Sequence, residues 1–361
     1  SEIKMKILLV GPLFPPIHGQ SLAFTRFSDS IEGKRKVVIN TNLGSKSKVG
    51  KIFATLKVLF VVTIKSLFTK YDVVYFTCSR SFLGSVKDVF LINLVSLKKV
   101  RIITHLHGSD FYEFLHSSPK WYQSTLFYSY SKVDISIVLL DSMKAQFIDF
   151  PNMKLKVVVN FYDKECNERL AEKEKNKINL VYLSNIISSK GIFELIDAFE
   201  ALSKTHENIH LNIAGGYIAD EYLSIDKVRK KFEQKISLNS RITYTGKIFE
   251  REKVALLQKS DIFILPSYYK SEAFPISIIE AMACKNAIVT TNYKYLPEVV
   301  GEKNGVLVNP KSVESLIEGV EILLNDIEKL RKIQAHNKVE AQNKYSLNQY
   351  LKNLNEIVME K

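Results

Sequence analysis

The chain has 361 residues, a length that suits two domains of ordinary size, each able to bury its own core. Apolar content of 46% and charged content of 25% are those of a soluble globular protein, and three cysteines without metal-ligand spacing exclude a disulfide framework and point to a reducing compartment. The formal net charge is +13 and lies mostly in the first half: residues 1–165 hold 23 Lys+Arg against 12 Asp+Glu.

That basic half fits an anionic membrane surface, a phosphorylated lipid or nucleic acid, with a merely soluble basic surface as the plainer alternative. The first residues lack the charged, apolar, small-residue order of a secretion signal, so none is expected. Residues 5–10 (MKILLV) read as a buried parallel strand ending at Gly11. The loop GPLFPPIHGQS follows, and helical spacing resumes at Leu22. Strand, Gly-containing loop and helix together make a place for phosphate or, equally, a Pro-rich connection. No G-x-G-x-x-G is present, which disfavours an NAD dehydrogenase.

Residues 37–41 read as a second strand and 46–51 as a basic connection. Residues 52–68 form a long apolar helix carrying Lys57 and Lys65. It is too short and too often interrupted for a membrane span, and is either an interfacial helix or a core helix at a domain edge. Further strands are expected at 72–77, 100–105, 134–139 and 156–159, with a helix over 86–97. His107 follows the end of a strand beside Gly108, where ligands gather in open α/β sheets.

Residues 164–177 are charged and poor in large apolar groups, and the domain boundary is placed there. The pattern then restarts. Strands are expected at 178–183, 209–214, 241–245, 261–265, 287–290 and 306–308. Helices are expected at 192–202, 226–235, 252–259, 313–325, 327–342 and 347–360. Strands alternating with helices mean parallel sheets.

The stretch SEAFPISIIEAMACKNAIVTT (271–291) carries Glu272 in a loop and Glu280 in a helix that is apolar nearly all round. Such a helix is usually buried, and a carboxylate in it needs a partner, which ligand hydroxyls would supply. The plain alternative is an exposed glutamate favoured by the helix dipole. In a parallel sheet the loops 184–191, 215–216, 246–249 and 266–272 share one edge, and Gly19 and His107 share the matching edge of the first domain. Two such edges facing each other form an interdomain cleft. Lys190-Gly191 offers an ammonium and free N–H groups suited to a diphosphate, although a lone lysine is more often a surface residue. Glu280 could accept hydrogen bonds from two vicinal hydroxyls of a ribose. The set describes a nucleotide-diphosphate sugar.

On these segments the chain resembles the retaining glycosyltransferases of family 4, with the GT-B fold: an α/β architecture of two facing Rossmann-like, doubly wound domains. Glu272–Glu280 is similar to the E-x7-E signature, VYLSNIISSKGIFELIDAF (181–199) to the diphosphate-lysine segment, and HLHGSD (105–110) to the active-site histidine segment. FPPIHGQ (14–20) and LPEVVGEKNGVLV (296–308) resemble the two glycine loops. The resemblance implies domains over 1–165 (acceptor side) and 166–345 (nucleotide-sugar side), and a last helix, 346–361, crossing back to the first. It implies catalytic roles for His107, Glu272 and Lys190. Donor binding falls to Gly19, Asn185, Lys190, Gly246, Lys247, the N–H groups of Phe274, Ile276 and Ser277, and Glu280 on the ribose. No metal and no cofactor are expected, since the nucleotide-sugar is a substrate.

Two positions depart from the family pattern. Asn185 stands where an arginine is common, five residues before Lys190, so a second cation is missing or supplied elsewhere, with Arg80 one candidate. Gly19-Gln20 stands where two glycines are usual. The implied reaction moves a sugar from a UDP- or GDP-sugar to a saccharide or lipid-linked saccharide in bacterial surface polysaccharide synthesis. The implied location is cytoplasmic, peripheral on the inner face of the membrane, with no nucleic-acid partner. Alternatives are a nucleotide-sugar epimerase of the same fold, a retaining glycoside hydrolase with two carboxylates, and a non-catalytic nucleotide- or membrane-binding protein.

Overall fold

The computed structural model describes residues 5–42 and 48–360, apart from the side chains of Lys34, Lys48, Lys51 and Leu67. The connection expected at 46–51 lies partly outside the described residues. The chain divides into two units, Ser1–Val159 with Asn348–Lys361, and Asn160–Leu347.

In the first unit β1 (Ile7–Gly11), β2 (Lys36–Asn40), β3 (Val73–Thr77), β4 (Arg101–His105), β5 (Ile135–Val138) and β6 (Lys154–Val157) form a parallel sheet in the order β2-β1-β3-β4-β5-β6. Every residue of β1, β3 and β5 is buried, which explains why these strands are near-continuous apolar runs. The outer strand β6 sits two residues earlier than the apolar run VVV suggests. It reads Lys-Leu-Lys-Val, and its two lysines are exposed, as suits a sheet edge.

The helices of this unit are α1 (Gly19–Ser30), α2 (Lys48–Phe68), α3 (Phe82–Val95), α4 (Phe111–Ser117) and α5 (Lys120–Tyr130). α1 opens at His18, whose Nδ1 accepts the Ser21 N–H at 3.2 Å while Ser21 Oγ accepts the His18 N–H at 3.0 Å. This reciprocal cap starts the helix at Gly19, three residues before the first apolar position. α3 likewise begins four residues before the expected start.

The second unit holds β7 (Ile178–Leu183), β8 (Ile209–Ala214), β9 (Ile242–Tyr244), β10 (Ile262–Leu265), β11 (Ala287–Thr291) and β12 (Gly305–Val308), all parallel, in the order β12-β11-β10-β7-β8-β9. Its helices are α6 (Ile192–Thr205), α7 (Ile225–Ile236), α8 (Glu250–Lys259), α9 (Ile276–Ala283), α10 (Leu296–Val299), α11 (Val313–Leu324) and α12 (Ile327–Lys344). The chain winds outward from β7 through β8 to β9, then restarts on the other side of β7 with β10. The winding reverses between β7 and β10, the position in an open parallel sheet where ligands commonly bind.

The last helix, α13 (Leu347–Met359), is counted with the first unit from Asn348 onward. Tyr350, Leu354 and Val358 are its buried positions, and the Arg101 guanidinium donates to the Val358 carbonyl.

Candidate active site

Lys190 and Glu272 leave the sheet of the second unit on the two sides of the winding reversal, one after β7 and one after β10. Their side chains meet there, with Lys190 Nζ 2.5 Å from Glu272 Oε2. Ser267 Oγ donates to the same oxygen at 2.6 Å. Both charged groups are largely buried, so their mutual attraction is weakly screened. The backbone holds the two loops together. Gly191 takes a left-handed conformation (φ 74°), and a Cβ on it would lie 2.1 Å from the Pro266 carbonyl oxygen. Only glycine meets both demands.

Beside this pair α9 begins. Pro275 is its N-cap rather than part of its first turn. The first N–H groups of a helix have no intrahelical acceptor, so Ile276 and Ser277 present donors at a positive dipole end. Phe274, just before the cap, is buried, and its carbonyl accepts from Asn160 Nδ2 at 2.7 Å.

Glu280 is buried in α9, as the all-round apolar pattern predicts. Its partner is not left to a ligand alone: Lys253 of α8 forms an ion pair with Oε1. Oε2 takes no hydrogen-bond partner among the described residues. Burial pushes the Glu280 carboxyl up, Lys253 restrains the rise, and Asp163 and Glu165 add to it. For Lys253, burial acts downward, but the Glu280 charge and hydrogen bond outweigh it and leave the ammonium raised. Sequence reading missed Lys253 because it lies 27 residues from Glu280 on a helix with an ordinary charged surface.

Farther along the same edge, Gly246 takes φ 74° and its carbonyl accepts the Gly215 N–H at 2.8 Å. Lys247 then folds its alkyl chain over Gly216, where a Cβ would sit 1.9 Å from Cε. No carboxylate pairs with Lys247 among the described residues. Asn185 is exposed, and its carbonyl accepts from the Tyr182 hydroxyl at 2.7 Å. Lys247 therefore brings an uncommitted ammonium to the β8–β9 side of the same sheet edge, and a neutral amide stands at position 185, where the resemblance leads one to expect an arginine.

In the first unit His107 follows β4. Its ring lies 4.1 Å from that of His105, whose Nδ1 is 2.6 Å from the Tyr75 hydroxyl. Burial, then the Arg80 and His18 charges, lower the His107 imidazole to about 3, so it is neutral at physiological pH. Its Nε2 is buried with no hydrogen-bond partner among the described residues. Arg80, the candidate second cation, lies across Gly108 and is ion-paired with Asp110. Its charge is paired within the first unit. Gly19 is exposed as the first residue of α1.

An uncharacterized glycosyltransferase of Methanocaldococcus jannaschii is 29% identical to the chain over 262 residues, covering 69% of the chain and 65% of the relative. A putative teichuronic acid biosynthesis glycosyltransferase of Bacillus subtilis is 25% identical over 62% of the chain, and the chain spans only 54% of that relative's length. Among solved structures, Anabaena Alr3699/HepE in complex with UDP superposes with a TM-score of 0.76, covering 99% of this chain and 100% of that one at 17% identity. At that identity the likeness concerns architecture, and the architecture is GT-B, two Rossmann-like units each built on a parallel six-stranded sheet. Residues 163–339, which lie within the second unit, match the family described as glycosyl transferases group 1.

Proposed function

We propose that the chain is a metal-independent, retaining glycosyltransferase of family 4 that moves a sugar from a UDP- or GDP-sugar to a saccharide or lipid-linked saccharide. The observation that carries the reading is the Lys190–Glu272–Ser267 cluster at the winding reversal of a group 1 domain. Breaking the sugar–phosphate bond builds negative charge on the leaving diphosphate and positive charge on the anomeric carbon. Lys190, Lys247 and the N–H groups at the start of α9 supply charge complementary to the first without a metal ion. Glu272, already fixed by two donors, offers negative charge to the second. Glu280 takes the ribose hydroxyls through the oxygen Lys253 leaves open. His107 acts as a neutral hydrogen-bonding group toward the transferred sugar rather than as a proton-carrying acid.

The teichuronic acid relative supports a place in bacterial surface polysaccharide synthesis, and the basic first half supports an anionic or lipid-linked acceptor at the cytoplasmic membrane face. A thermal-shift panel of UDP-, GDP-, ADP- and TDP-sugars tests the donor class, because a ligand that binds only the folded chain raises its apparent stability. Lys190→Ala is expected to abolish transfer while circular dichroism stays native. Transfer at the wild-type rate in that variant removes the cluster from the mechanism.

A further inference from the structure

Helix α2 is apolar on its outward side as well as on its inward one. Val58, Val62 and Ser66 face inward and are buried. The outward side carries Val49, Phe53, Leu56, Phe60, Ile64 and Phe68, all exposed, with Phe53, Phe60 and Phe68 at 68%, 66% and 82%. Steps of four, three, four, four and four residues keep these six on one continuous stripe. At 1.5 Å per residue the stripe is about 29 Å long. Contiguous apolar surface of this size on a helix signals a docking surface rather than scattered exposed residues.

The charges around the stripe name its occupant. From Gly33 to Tyr71 the sequence holds nine Lys+Arg and no Asp or Glu. Lys57 and Lys65 are exposed along one border of the stripe. At its end the Lys98 ammonium reaches the Ser66 carbonyl, which sets the turn of Leu97, Lys98 and Lys99 beside Phe68. Leu97 is 82% exposed there, so apolar and cationic groups alternate over the end of the helix. A second copy of this face would bring like charges together. An anionic bilayer accepts both components, the lysines at the headgroups and the phenylalanines below them. No helix among the described residues is long and apolar enough to cross a membrane, so a helix bound this way lies along the surface.

We infer that the exposed face of α2, continued by Leu97–Lys99, docks the chain onto an anionic phospholipid bilayer. This deepens the lipid-linked reading of the acceptor and can fail independently of it. The test is flotation of the full chain with phosphatidylcholine vesicles, with and without phosphatidylglycerol, at low and high salt. Wild-type protein is expected to float with anionic vesicles and to stay behind with neutral ones or at high salt. Phe53→Ser/Phe60→Ser/Phe68→Ser should lower partitioning by more than tenfold. Lys57→Gln/Lys65→Gln should lower it by about twenty-five-fold, or fivefold per lysine. All variants should keep the nucleotide-sugar thermal shift of the wild type, so a failed donor reading shows in that assay alone. Unchanged flotation of the triple variant, or equal flotation with neutral vesicles, overturns the inference. So does a concentration-dependent dimer that the triple variant abolishes, which would make the occupant a second copy.

Discussion

Replacing Lys253 by methionine should convert a buried ion pair into a buried, unpaired carboxyl and destabilise the second unit in a pH-dependent way. Glu280 keeps its burial and its acidic neighbours Asp163 and Glu165, but loses the ammonium that restrains its rise. Burial then pushes the folded carboxyl further up, toward its neutral form. Starting from an ordinary value of 4.5, holding it neutral at pH 7 costs about 3.4 kcal/mol. That is the lower part of the ~3–5 kcal/mol seen when one partner of a buried pair is removed. The sign follows from linkage. The folded carboxyl binds its proton more tightly than the unfolded one, so the variant is least impaired below 4.5. It loses about 1.4 kcal/mol per pH unit above that, until the folded group itself ionises. Urea unfolding followed by circular dichroism between pH 4.5 and 7.5 measures this slope against wild type. Lys253→Met/Glu280→Gln should recover most of the loss at pH 7, because no charge remains to be buried. A deficit that is the same at pH 5 and pH 7, or that the double variant does not relieve, would refute the reasoning and reduce Lys253 to packing.

Lys247→Ala should weaken nucleotide-diphosphate binding about tenfold by calorimetry, the scale of one charge-assisted hydrogen bond. Adding Asn185→Arg should restore most of that loss, and an unchanged Kd in Lys247→Ala would return the second cation to another residue. His107→Gln should reduce the acid sensitivity of the fold. The unfolded imidazole protonates near 6.5 while the folded one resists to about 3, so the histidine withdraws about 1.4 kcal/mol of stability per pH unit as pH falls below 6.5. In transfer assays wild type should show no rate inflection between pH 5 and 8 assignable to this histidine. An inflection near 6.5 that His107→Gln removes would contradict a neutral role.

Much of the fold was legible because buried parallel strands write themselves as apolar runs: ILLV at β1, VVYF at β3 and IFIL at β10 are continuous in the sequence and buried throughout. Legibility failed where a strand meets solvent. β6 alternates Lys and apolar residues, so the neighbouring VVV drew the expectation two residues along. It failed again at α4 and α5, whose aromatic, hydroxyl and charged residues mix without a clear period, although Phe111 stacks on Phe147 at 4.7 Å and anchors that region. At the site, Glu280 was readable as a buried carboxylate because its own helix is apolar all round. Lys253 was not, because it comes from a different helix. The Arg80–Asp110 pair was hidden for the same reason: the two lie 30 residues apart, and only the fold brings them together.

The contact between Gly191 and the Pro266 carbonyl has a consequence for how a donor would be received. It joins the loop of Lys190 to the loop of Glu272 through main-chain atoms, independent of either side chain's reach. The ammonium and the carboxylate are therefore held in place without a ligand, which on the proposed reading preorganises them for a nucleotide. Little ordering entropy is left to lose on binding. Dipoles fixed in advance also need no rearrangement as charge separates at the anomeric carbon. On the proposed reading the loops would act as a rigid electrostatic mould, set by a glycine rather than by a charged side chain.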